Sequence, residues 1–168
     1  MTKITREVWI DAPKGKVWEV LADFGNIYRF NPTVPKSHST SEQTSGLGAT
    51  RHCDFGGSGS SIEERIVEWT EGESMTIDIY EGVKTPPFKK AGATLSVKED
   101  KGGTLVSGTM AYEMKFGPVG SLMDSMMVRS QFEKAWTGVM AGLKSYVETG
   151  EQVESPQGLN FEPVVALA

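Results

Sequence analysis

From residue 3 to 11 the side chains alternate. Ile4, Arg6, Val8 and Ile10 fall on one face, and Thr5, Glu7, Trp9 and Asp11 on the other. A period of two carried by β-branched and aromatic residues predicts a strand. Asp11-Ala12-Pro13 ends it, because proline has no N–H to give a ladder and its fixed φ suits a helix start, with Asp11 as the candidate cap. Val17, Val20, Leu21 and Phe24 then recur at helical spacing. They predict a short helix over about 13–23, broken by Gly25, with a second turn over 27–30 before Asn31-Pro32.

Strand patterns separated by turn signals follow. They predict strands at about 34–42, 49–55, 61–69, 74–81, 90–100 and 103–115, joined mostly by hairpin-length connections such as Gly56-Gly57-Ser58-Gly59 and Lys101-Gly102. From Pro118 the period changes to helical. Val128, Phe132, Trp136, Val139, Leu143 and Val147 share one face of a helix of about 30 residues ending near Gly150. Residues 151–168 hold two prolines and no period, and are expected to form a loosely ordered tail; packing of its apolar end, Val164 to Leu167, on the body or on a partner is the lesser alternative. Residues 1–150 make one domain. Strand, short helices, six strands and a long helix is an α+β order: an antiparallel sheet with its helices segregated. The long helix must cover the concave face of the curved sheet. Its Met, Gly and Ser content leaves room for an unfilled space beneath it.

Composition narrows the function class. The 168 residues carry a formal net charge of −5. An acidic balance argues against a nucleic-acid partner and against an anionic membrane surface. No apolar run approaches the roughly 20 residues needed to span a bilayer, so no stable membrane insertion is expected. A single cysteine allows no internal disulfide, and the expected compartment is the cytoplasm.

With IDAPKGKVWEVLADFGNIYRFNP, GLGATRHCDF, IEERIVEW and QFEKAWTGVMAGLKSYVE in this order, residues 3–149 resemble the START-related helix-grip superfamily. That group includes polyketide cyclase/dehydrase-like proteins, pollen allergens and the abscisic-acid receptors. The resemblance implies a seven-stranded curved sheet gripping the C-terminal helix around a cavity, and a small-molecule ligand; a minority of members are enzymes. Compared with the abscisic-acid receptors, Lys36 matches their carboxylate-binding lysine and Glu64 a cavity-facing glutamate. Arg51 matches a cavity-facing arginine, and Cys53 and Phe55 match wall positions. Their gate loop corresponds to 56–60, but GGSGS lacks its leucine and proline. The later histidine-arginine-leucine latch is absent, so the resemblance does not extend to hormone reception.

His52-Cys53 suggests metal or nucleophile chemistry, but adjacent strand residues point to opposite faces. The only other histidine is His38, and a zinc site wants three or four ligands. A Cys53–His38 pair across neighbouring strands remains geometrically open. GGSGS is followed by neither a helix start nor a lysine, so it reads as a hairpin lip and not a phosphate cradle. No metal or cofactor is implied. Arg51 and Glu64, on facing strands, form the candidate polar end, with Lys36 and His38 as further cations. Phe55, Ile66, Met110, Tyr112, Phe132, Trp136 and Val139 form the expected apolar wall, with hydroxyls from Tyr80 and Tyr112 directed inward. The methionines 110, 114, 123, 126, 127 and 140 serve equally as core filler or as a conformable wall. The leading expectation is a protein binding a hydrophobic or amphipathic small molecule. The alternatives are a cyclase or dehydratase using Glu64 as general acid or base, and a partner-binding module with a filled cavity that docks through 119–122.

Overall fold

The computed structural model describes residues 1–57, 59–117, 119 and 128–167. Strand β1 (Thr2–Ile10) leads into helix α1 (Lys14–Ala22) and a 3-10 segment (Phe24–Arg29) kinked at Asn26. Strands β2 (Lys36–Ser39), β3 (Thr50–Asp54), β4 (Ser61–Thr70), β5 (Ser74–Val83), β6 (Phe88–Asp100) and β7 (Gly103–Met114) follow. Helix α2 (Arg129–Thr149) and strand β8 (Val164–Leu167) complete the chain. The strands form one antiparallel sheet in the order β2-β3-β4-β5-β6-β7-β1-β8.

Two expectations are corrected at the ends of the chain. The sheet has eight strands, not seven, because the segment expected to be a loose tail returns to pair along β1, matching Thr5 with Leu167 and Val8 with Val164. The physical reason is that β1 would otherwise present an open edge of unpaired N–H and C=O groups. Val153 anchors the return: it is buried, and its N–H donates to the Arg29 carbonyl. At the start of α1 the cap position is Pro13, with no side-chain cap. Asp11 does not cap; its own N–H donates to Glu148 Oε1 at 2.8 Å.

Helix α2 ends at Gly150, whose φ of +76° is the left-handed C-cap expected of glycine. It has 21 residues instead of about 30. Residues 118 and 120–127, over which the expected helix extended, lie outside the described residues, as do Met123, Met126 and Met127. Val139, Met140, Leu143 and Val147 bury the helix's apolar face against Val8, Ile10, Val17, Leu21, Phe24 and Met75. Close approach on the other side needs Gly142, where an added Cβ would stand 2.0 Å from the Phe30 carbonyl oxygen. A second cluster, Ile4, Ala91 and Tyr112 with Phe88, Met110 and Phe132 packed on it, lies toward the other end of the helix.

Candidate functional site

Between the two clusters the sheet and α2 enclose a cavity of about 400 Å³. Strand direction gives it an axis. Its mouth lies at the end of the sheet where β3 finishes and β4 begins, lined by Phe55 and Ser60, and where the β5–β6 connection contributes Lys84, Thr85 and Pro86. The opposite end is closed by Met75, Leu95, Met140 and Leu143. Ile77 and Ile79 form the sheet-side wall, and Phe132, Ala135, Trp136 and Val139 the helix-side wall. Trp136 is fixed in place because its Nε1–H donates to the Gly108 carbonyl at 2.9 Å. An added Cβ at Gly108 would stand 2.9 Å from the Trp136 ring, so this glycine seats the indole on the sheet.

Arg51 and Glu64 face each other across β3 and β4 at a directly paired register position. Arg51 Nε donates to Glu64 Oε2 at 2.6 Å, and Arg51 Nη1 to the Phe24 carbonyl at 2.9 Å. The guanidinium lies over the Phe24 ring, 3.9 Å from its centroid. Both residues are buried, at 4% and 7% exposure, and both line the cavity. Burial is the largest single influence and works against the Arg51 charge, but Glu64 and Cys53 beside it together outweigh burial and the pKa is raised. Cys53 lies beside them and donates its thiol hydrogen to Glu64 Oε2 at 3.3 Å. Burial, reinforced by the Glu64 carboxylate, pushes that thiol well above the ordinary cysteine range. Cys53 is therefore a protonated wall residue and not a thiolate nucleophile.

A family model for polyketide cyclase / dehydrase and lipid transport matches residues 1–148. The chain belongs to that family. Solved structures of the same helix-grip fold include XoxI from Bacillus cereus, 19% identical with a TM-score of 0.69, covering 88% of this chain and 96% of that one. Ara h 8.0201 is 14% identical with a TM-score of 0.69, covering 87% and 97%. Major latex-like protein 151 from Panax ginseng is 15% identical with a TM-score of 0.69, covering 86% and 96%. These likenesses, all at 19% identity or below, show a shared fold; together with the family match, that fold fits the START-related helix-grip superfamily. No curated protein sequence matches the chain.

Within this family fold the expected site residues divide. Arg51, Cys53, Phe55, Glu64, Met110, Phe132, Trp136 and Val139 line the cavity. Lys36 does not: it pairs with Asp54 in the parity opposite to Ser37 and Cys53, so it stands on the outer face, exposed. His38 pairs with His52 on that same outer face, their rings 5.3 Å apart, and His52 Nδ1 bonds Glu63 Oε1. The sheet thus separates both histidines from Cys53. Among the described residues no three histidine, cysteine or acidic side chains are arranged to hold a metal. Tyr80 also faces outward, because β5 carries its inward stripe on Met75, Ile77 and Ile79; Tyr80 instead underlies the Arg65 guanidinium at 4.7 Å. Ile66 faces inward but is core, fully buried beyond the cavity wall. Tyr112 is fully buried as well, packed edge-on to Phe88 and against Phe132.

Sequence reasoning missed part of the wall and, at the mouth, the β5–β6 connection with Lys84, Thr85 and Pro86. Ile62 was available from its parity with Glu64, and the Met75, Ile77 and Ile79 stripe from plain alternation. Asn31 and Thr33, which the fold brings to the cavity from the loop after the 3-10 segment, carried no periodic signal.

Proposed function

We propose that this protein binds a hydrophobic or amphipathic small molecule in the cavity between sheet and helix. The observation that carries the reading is the wall itself: about 400 Å³, mostly apolar and aromatic, with one buried ion pair set into it. A concave apolar site with few convergent polar groups is the usual form of a small-molecule pocket. Family membership supports the same class of function.

Binding is favoured over catalysis by what stands at the polar end. Cys53 is protonated, no histidine is among the lining residues, and Glu64 is held by Arg51 and Cys53. A cyclase or dehydratase would rest on Glu64 alone. The open space speaks against the filled-cavity module; of its docking segment only Val119 lies among the described residues, and it is exposed.

The test is titration with a solvatochromic fluorescent probe while tryptophan emission is followed. Saturable binding is expected, weakened at least tenfold by Phe132→Ala with Trp136→Ala in a protein that circular dichroism shows to be folded. Absence of saturable binding, or affinity untouched by the double substitution, would overturn the reading.

A further inference from the structure

The polar end of the cavity has a definite hydrogen-bonding character. Among the described residues, three charged side chains line the cavity: Arg51, Glu64 and, at the exposed mouth, Lys84. The Arg51 charge is already matched, with Nε on Glu64, Nη1 on the Phe24 carbonyl and the guanidinium plane stacked over a ring. Glu64 is used on one side only. Its Oε2 accepts from both Arg51 and Cys53, whereas its Oε1 accepts from none of the described residues. Among those residues no buried side-chain oxygen or nitrogen lacks a partner, so Oε1 is reached from the cavity that Glu64 lines.

We propose that the ligand carries a neutral hydroxyl, an alcohol or phenol, which donates to Glu64 Oε1, and that this contact selects against a carboxylate of the same shape. The inference rests on the binding reading above and specifies the ligand's polar end. An acceptor oxygen needs a donor, and a carboxylate at neutral pH has none. It would also bring a second negative charge to Glu64 in a desolvated wall, where like charges repel strongly. An ammonium group supplies a donor, but the Arg51–Glu64 pair is already neutral. The added cation would be a buried charge without a counter-ion, beside Arg51. A hydroxyl supplies the donor and adds no charge. Of the other cations that would favour an acid, Lys36 and His38 lie on the other side of the sheet and Lys84 stands at the exposed mouth.

The experiment compares 1-decanol, decanoate, decylamine and 1-methoxynonane, of nearly equal length, as competitors for a bound solvatochromic probe at neutral pH. The ether keeps the oxygen and lacks the donor. Decanol is expected to compete about tenfold better than the other three, the factor that one hydrogen bond to a charged acceptor supplies. Glu64→Gln is expected to bring decanoate to within a few-fold of decanol. Because Glu64→Gln leaves Arg51 without its counter-ion, the double variant Arg51→Met with Glu64→Leu provides a second measurement. It should bind decanol and the ether equally. Decanoate or decylamine competing as well as decanol, or decanol and the ether indistinguishable in the unsubstituted protein, overturns the proposal while saturable probe binding leaves the broader reading intact. No probe binding at all overturns both.

Discussion

At the scale of the residue, the Arg51–Glu64 pair is the most consequential feature. Both members are buried, so each is tolerable only because of the other. Arg51→Met leaves the Glu64 charge buried and unmatched, and should cost about 3–5 kcal/mol in urea denaturation. Arg51→Met combined with Glu64→Leu removes both charges and should cost much less than the sum of the single changes. Additive losses would show that the pair is not coupled. Cys53 gives a pH-dependent counterpart. In the unfolded chain its thiol ionises near about pH 8.5. In the fold its pKa is raised, so between those values the native state holds a proton that the unfolded state releases. Its contribution is complete below about pH 8.5 and declines as pH rises, by up to about 1.4 kcal/mol per unit. Cys53→Ala should flatten the alkaline limb of the stability curve; parallel limbs would refute the assignment.

At the scale of the element, β8 decides how the sheet ends. It pairs with β1 over four register positions, and β1 lies over helix α2 through the Arg6 Nε to Thr137 Oγ1 bond at 3.0 Å. Removal of residues 164–168 should open the β1 edge. The expected cost is roughly 1–3 kcal/mol, since each ladder bond lost is worth about 1 kcal/mol net. Faster amide exchange along β1 and concentration-dependent self-association in sedimentation should accompany it. Unchanged β1 protection would mean that β8 is a passive appendage. The opposite edge needs no such cover: β2 is four residues long and presents Lys36 and His38 outward, which discourages edge-to-edge pairing.

At the scale of the whole molecule, an apolar cavity of this size leaves part of the core without packing contacts, and a ligand that fills it should raise stability by mass action. At a free concentration 100 times Kd the gain is about 2.7 kcal/mol. For a chain of this length that corresponds to a Tm rise of roughly 5–10 °C, readable by differential scanning fluorimetry. At the same ligand concentration the double variant Phe132→Ala with Trp136→Ala should gain no more than about half as much, since a tenfold weaker Kd leaves about 1.4 kcal/mol. What the sequence determined by itself was everything carried by local period: the alternating strands, the helical spacing of α2, the turn glycines and the adjacency of Arg51 to an inward stripe. Those signals are local because backbone geometry repeats every two or every 3.6 residues. Tertiary structure alone decided which parity faces the helix, and so turned Lys36, His38 and Tyr80 away from the cavity. It placed Ile66 and Tyr112 in solid core while leaving a space between them. It also gave the last strand its partner, because four residues carry no period long enough to announce an edge that lies about 160 positions away in the chain. A cavity is the volume that packing fails to fill, and that depends on how separate elements meet.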